Sequence, residues 1–290
     1  MMETAARALW RRPALATGAL VALPAAWFLI FYLASLLALF ASAFWQVDSL
    51  TGEIQHVWTL ANFRLLLTEP TYRHVAARTI FLAGAVTVTD ALLAWPFALF
   101  MARHAGPRLR TALMVAVMVP LWCSYLARVY AWRLILSHDG VLNWALHLVH
   151  LPSQGIAYTN WAMWIVFSYL WLPFMILPIY GALERVPGSL IEASADLGAG
   201  GATTLRRVLL PMALPGIVAG SIFTFSLTLG DFITPLLVGG PGSDFIGNVV
   251  YASVGVANNV PFAAAFAVLP LLVMGAYLMI ARRLGALDAL

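Results

Sequence analysis

The sequence has 290 residues, 62% of them hydrophobic and 10% charged, with a mean hydropathy of +0.89 and a net charge of +4. A soluble domain carries about a quarter charged residues, so this chain cannot cover itself with polar surface and belongs in a bilayer. All 16 basic residues are arginine, in short clusters between apolar runs, which points to membrane topology rather than to nucleic acid. The one cysteine, Cys123, excludes an internal disulfide, fits no metal spacing and reads as a small core residue.

A spanning helix needs about 20 mainly apolar residues. Six stretches qualify: 17–45, 76–102, 110–130, 158–182, 212–238 and 262–281. All read as helices, because unpaired backbone is too costly in lipid. The expected architecture is an all-α integral membrane protein with six transmembrane helices in a single domain, 1–290. Ala41-Ser42-Ala43 imitates a signal-peptidase site, but the apolar run before it far exceeds the ~7–15 residues of a signal core. That run reads as a retained first span.

The outer segment 46–75 contains TLANFRLLL, a short amphipathic piece expected on the membrane surface. Asp90 falls inside the second span, in TVTDALLAWPF. Arg128 and Arg133 interrupt the end of the third. In 131–157, His138-Asp139-Gly140 reads as a turn between short helices, and Trp132 and Trp144 as interface anchors. His147 and His150 lack a third metal ligand. Asp231 falls in the fifth span, after Gly230 and before Pro235, which should loosen the helix there. Gly216 and Gly220 form G-x-x-x-G, a close-packing signal.

With the N-terminus in the cytoplasm, eleven arginines lie inside and five (Arg64, Arg73, Arg78, Arg128, Arg133) outside. This bias places both termini in the cytoplasm. One cytoplasmic stretch is unlike the rest of the chain. IEASADLGAGGATTLRRVLLP, 191–211, crowds acids, arginines, glycines and threonines together. Ser189-Leu190-Ile191-Glu192 has the form of a capping box, so a helix is expected over 189–198, stopping at Gly198, Gly200 and Gly201. Thr203 or Thr204 would cap a second helix ending at Pro211. Glu192 and Asp196 share one side and small residues the other, a platform suited to docking on another protein.

This stretch resembles the "EAA" coupling loop of binding-protein-dependent ABC importer permeases (type I). Glu192, Ala193, Gly198, Leu210 and Pro211 match that pattern at its spacing; Ser194 replaces an alanine and Val208 an isoleucine. The resemblance implies that 183–211 is a cytoplasmic coupling loop seated on a separate ATPase, with Asp196 and Arg206 in the same contact. TLANFRLLL at 59–67, VPLWCSYLARVYAWRLILSHDGVLN at 119–143 and LGDFITPLLVGGPGSDFIGNVV at 229–250 resemble the polyamine (spermidine/putrescine) branch, first-permease type. It further implies a second permease subunit, two ATP-binding subunits and an extracytoplasmic substrate-binding protein in a bacterial inner membrane. Permeases for ferric iron, thiamine, opines or amino-acid derivatives share such wording. The chain has no G-x-x-x-x-G-K-[ST], so it binds no cofactor of its own and ATP/Mg would sit on the partner ATPase.

An acid at mid-span costs about 2.5–3.5 kcal/mol on insertion scales and should face the bundle interior or a wet cavity. Asp231 is the first candidate for a cationic substrate, or else a cap or interhelical partner. Asp90 is expected to bond to Thr87, Thr89 or a neighbouring helix before it meets a ligand. Trp122, Tyr125, Phe225 and Phe232 can supply aromatic faces to ammonium groups. Arg128 and Arg133 are placed at the outer rim for docking. An integral membrane enzyme would need a catalytic pair or an H-E-x-x-H helix, and an ion-coupled carrier usually shows internal repeats; neither is present in the sequence.

Overall fold

The computed structural model describes residues 13–48, 51–150, 152 and 155–283. The first span, α1, is built from Pro13–Trp27, a π-helical turn Phe28–Leu33 and Ala34–Ser42. From Leu20 to Phe40 its side chains are exposed or half-buried, so it stands away from the bundle. A two-residue hairpin follows, β1 (Gln46–Val47) antiparallel to β2 (Ile54–Gln55), with Val47 opposite Ile54. The surface piece is α2, Ala61–Thr68. Its Asn62 is buried and donates to the carbonyls of Ala43 (3.0 Å) and Trp45 (2.8 Å), fastening the C-terminal end of α1.

The centre is three long helices: α3 (Pro70–Arg103), α7 (Asn160–Glu184) and α9 (Gly201–Gly230). At 1.5 Å per residue the 34 residues of α3 measure about 51 Å, well beyond a ~30 Å hydrocarbon core. These spans are apolar all round, as buried or lipid-facing helices are. Ala94, Ala98 and Met101 of α3 pack on Met175, Ile179 and Leu183 of α7 and Ala213 of α9. The glycine pair does bring helices together: a Cβ at Gly216 would lie 2.5 Å from Pro178 O, and one at Gly220 2.7 Å from Met175 Sδ. The last span, α12, is Val260–Arg283.

Two expected spans are reshaped. The third is α4 (Pro107–Trp122), followed after Cys123 and Ser124 by α5 (Tyr125–Leu136) and α6 (Val141–Leu148), with a bend of 96°. Pro120 withholds a backbone donor in the last turn of α4, and Cys123 and Ser124 are extended. The described residues therefore hold five helices long and apolar enough to cross a membrane, and six if the bent pair counts as one. Cys123 sits at that bend and is exposed, not a core residue. The fifth span ends at Gly230 instead of 238: Asp231 is extended (φ −76°, ψ 137°) and a short helix α10, Ile233–Val238, restarts after it. A further helix, α11 (Ile246–Gly255), lies between α10 and α12. At ten residues it is too short to register as a span.

Two arginines close helix ends. Arg103 of α3 donates to the carbonyls of Leu183 (2.6 Å) and Val186 (2.8 Å) at the end of α7. Arg110 of α4 donates to Met101 O (3.2 Å) and Ala102 O (3.3 Å) and lies 3.6 Å from Glu184. Orphan carbonyls at helix C-termini favour such cations.

Candidate functional site

At the end of the bundle where α7 stops, helix α8 runs Gly188–Asp196. Its N-cap is Pro187 and no side chain caps it, so the expected Ser189/Glu192 box does not form. The helix starts at Gly188, which puts Ser189 inside the first turn, two places past the N-cap. The stop is as expected. Gly198 has φ +78°, Gly198 N–H donates to Ala195 O (2.8 Å) and Ala199 N–H to Ser194 O (3.0 Å). These are the two bonds of a Schellman cap. Gly200, and neither threonine, is the N-cap of α9. Thr204 is buried and lies 2.9 Å from Ser194 Oγ, tying the two helices together. The second helix does not end at Pro211. A π-helical turn, Leu205–Leu209, leads straight into the span, and Pro211 falls in the first turn after it.

Glu192, Ala193, Asp196, Gly198, Arg206, Leu210 and Pro211 are all exposed. None of the four charged groups Glu192, Asp196, Arg206 and Arg207 joins an ion pair among the described residues. Ile191 packs against the α3–α7–α9 core, while Leu197 is 88% exposed. A cleft of about 600 Å³ opens between the helices, lined by Leu190, Ala193, Leu197 and Val208. The cleft is open and largely apolar, lies at one end of the bundle and is edged by these charges.

The second site is a groove of about 330 Å³ at the end of α9, lined by Tyr125, Trp171, Ser226, Asp231 and Phe232. Asp231 Oδ1 accepts from the backbone N–H of Ile233 (2.8 Å) and Thr234 (3.3 Å). Oδ2 accepts from Thr234 Oγ1 (2.9 Å) and from the Tyr125 hydroxyl. The carboxylate thus starts α10 and ties α5 to it, with neutral donors in each of its four acceptor positions. Tyr125 stacks on Trp171 (5.9 Å, 12°) and Phe232 on Tyr251 (4.9 Å, 16°).

The structure brings together Asp231, Tyr125 and Phe232 and leaves three expected residues outside the groove. Trp122 is 85% exposed at the end of α4, before the bend. Phe225 is buried and stacks on Tyr277 of α12 (5.1 Å), a packing role. Asp90 is fully buried against α7, and its expected threonine partners are engaged elsewhere: Thr87 donates to Ala83 O (2.7 Å) and Thr89 accepts from Trp164 Nε1 (3.1 Å). Trp171, the wall behind Tyr125, was not anticipated: it lies in the aromatic run WIVFSYLWLPF, where nothing local sets one ring apart. Arg133 is held within the chain, its Nε 3.3 Å from the Tyr158 hydroxyl. No cluster of three or more His, Cys, Asp or Glu able to hold a metal occurs among the described residues.

A multi-pass helical bundle with a capped, exposed helix pair at one end fits one class of protein: a membrane permease. Residues 94–285 match the family described as "Binding-protein-dependent transport system inner membrane component", and the chain belongs to that family. It is 47% identical over 294 residues to the inner membrane ABC transporter permease protein YdcU of Escherichia coli (strain K12), covering 97% of this chain and 93% of that protein. It is 33% identical to the spermidine/putrescine transport system permease protein PotB of Salmonella typhimurium (strain SL1344), covering 88% of each. The fold matches that of a bacterial ABC transporter involved in import of the acidic polysaccharide alginate, with a TM-score of 0.73 and 20% identity over 96% of this chain and 98% of that one. The chain is a permease subunit of an ATP-driven importer and not itself an enzyme.

Proposed function

We propose that this subunit carries polyamines of the spermidine/putrescine class across a bacterial inner membrane. The observation that carries the reading is the groove: one carboxylate among the aromatic faces of Tyr125, Trp171 and Phe232. A polyamine alternates ammonium groups with short methylene spacers, and such walls suit both parts, cations over ring faces and methylenes against them. The likeness to a spermidine/putrescine permease over most of the chain supports the same solute class. Because Asp231 is saturated by neutral donors, an ammonium reaches it by displacing the Tyr125 hydroxyl.

In the proposed assembly a second, different permease subunit completes the path. The likeness extends to PotC, a second spermidine/putrescine permease, at 32% identity over 53% of this chain. Of two ATP-binding subunits, one docks on α8 and the start of α9 and the other on the second permease, and ATP/Mg is bound on them. An extracytoplasmic binding protein delivers the solute; one structural relative is solved with a pentasaccharide-bound periplasmic protein. Both termini face the cytoplasm.

The test is ATP hydrolysis by the reconstituted complex with its binding protein, across spermidine, putrescine, ferric iron, thiamine and amino-acid derivatives. Stimulation by polyamines alone is expected. Stimulation by another solute and not by polyamines overturns the substrate and leaves the permease class standing.

A further inference from the structure

The groove at Asp231 is not the end of the hollow between α7 and α9. A second groove, of about 360 Å³, opens between the same two helices nearer to α8, lined by Pro178, Gly181, Arg185, Met212, Gly216 and Ala219. The two grooves share one face of each helix. Trp171, Phe174, Pro178 and Gly181 of α7, with Arg185 at its C-cap, fall within an arc of about 80° at 3.6 residues per turn. Gly230, Ser226, Phe223, Ala219 and Met212 fall within about 60° on α9. The helices meet between the grooves, where Gly216 approaches Pro178 and Gly220 approaches Met175.

Two rings stand across this face between the grooves. Phe174 is one turn along α7 from Trp171, Phe223 is one turn along α9 from Ser226, and their centroids are 6.3 Å apart. Trp171 continues the series, 6.0 Å from Phe174 and 5.9 Å from Tyr125. The Phe174–Phe223 contact lies toward the loose end of the roughly 4.5–7 Å range for ring pairs. Phe223 is 51% exposed, so it adds little to the core. Pro178 has no N–H for the carbonyl of Phe174 four residues earlier, which weakens α7 at that ring. The grooves also differ in charge. Asp231 lines the first and Arg185 the second, and Glu184 beside Arg185 accepts from Tyr180 (2.7 Å) and lies 3.6 Å from Arg110. A cation is favoured in the first groove and repelled in the second.

We infer that Phe174 and Phe223 form the constriction of the solute path along α7 and α9, parting a binding chamber at Asp231 from a release chamber at Arg185. The rings close the furrow by meeting and open it by swinging apart. That the solute is an ammonium compound rests on the polyamine reading; the constriction itself does not.

The experiment places one cysteine on either side of the rings, Ser226→Cys or Ala219→Cys, in the whole complex with Cys123→Ser as background. MTSET, a thiol reagent that bears one ammonium group and does not cross lipid, is added without nucleotide to spheroplasts or to inverted vesicles. Modification is read as a mass shift of this chain. With both rings present, the two positions should react from opposite faces of the membrane, each at least about tenfold more slowly from its far face. Phe223→Ala should remove that difference, and Phe223→Tyr, which keeps a ring, should retain it. Equal rates from one face with both rings present overturn the constriction. So does an unchanged difference in Phe223→Ala, or an equal loss in the alanine and tyrosine variants, which would make the pair a packing contact. The labelling uses no transported solute, so its failure leaves the polyamine reading standing, and a complex whose ATP hydrolysis ignores polyamines leaves the constriction standing.

Discussion

Asp231 shows how one residue can carry two tasks. Its carboxylate holds Ile233, Thr234 and Tyr125 in place, and the same group is the one acid lining the groove. Hydrogen bonds to charged groups are worth about 1.5–3 kcal/mol each. Asp231→Asn keeps one acceptor oxygen and loses the charge. Uptake of a polyamine should fall about ten- to a hundredfold, while the yield of assembled complex on size exclusion holds. Parallel loss of both would make Asp231 a structural residue alone. Tyr125→Phe keeps the stack on Trp171 and removes a donor across the α5–α10 contact. It should raise the affinity of the groove for a diammonium probe, measured by calorimetry on the intact complex, because the ammonium no longer competes with a hydroxyl. At this scale the sequence was informative about charge: an acid inside an apolar run is visible without coordinates. It was uninformative about neighbours. Trp122 and Tyr125 are three apart in the chain, yet the bend at Cys123 and Ser124 sends one to the surface and the other into the groove.

The helix pair α8–α9 is the element on which coupling should depend. Its break was legible, because a Gly-rich run after a short amphipathic helix has few alternatives to a left-handed cap. Gly198 adopts φ +78°, and a Cβ there would meet nothing within 4 Å, so the constraint is backbone strain and not crowding. Gly198→Ala should cost about 1–2 kcal/mol locally. Amide exchange across α8 should quicken about tenfold, with substrate-stimulated ATP hydrolysis reduced and overall melting little changed; unaltered exchange would show that the cap is not what orders α8. Glu192→Lys should leave membrane insertion intact and uncouple uptake, and normal uptake in that variant would remove the coupling role. The cap at the other end was misread. S-x-x-E is a common local pattern, and with Pro187 as N-cap the helix starts two residues earlier than the serine needs. The continuity of α9 was hidden too, because a π-helical turn that accommodates Pro211 leaves no mark in the pattern of apolar residues.

The whole molecule is held by α3, α7 and α9, and the arginines belong to that frame as well as to topology. Arg103 joins the end of α3 to the end of α7 through two carbonyls. Arg103→Met should lower the melting temperature of the complex by several degrees, whereas Arg108→Met, at an exposed position five residues on, should change it little. Equal effects would reduce both arginines to topogenic charge. Hydropathy determined that this chain is a multi-pass helical membrane protein, because lipid leaves the backbone no other way to satisfy itself. Arginine bias pointed to an orientation, and the glycine-punctuated E-A-S-x-x-x-G stretch marked the helix pair proposed here to meet an ATPase. Only the tertiary structure decided that the third stretch bends by 96° and the fifth breaks at Asp231. It alone selected Trp171 as the groove wall and set the fully buried Asp90 against the Ser168 hydroxyl of α7. Those outcomes depend on which faces of separate helices meet, and the order of residues along any one apolar helix does not record its neighbours.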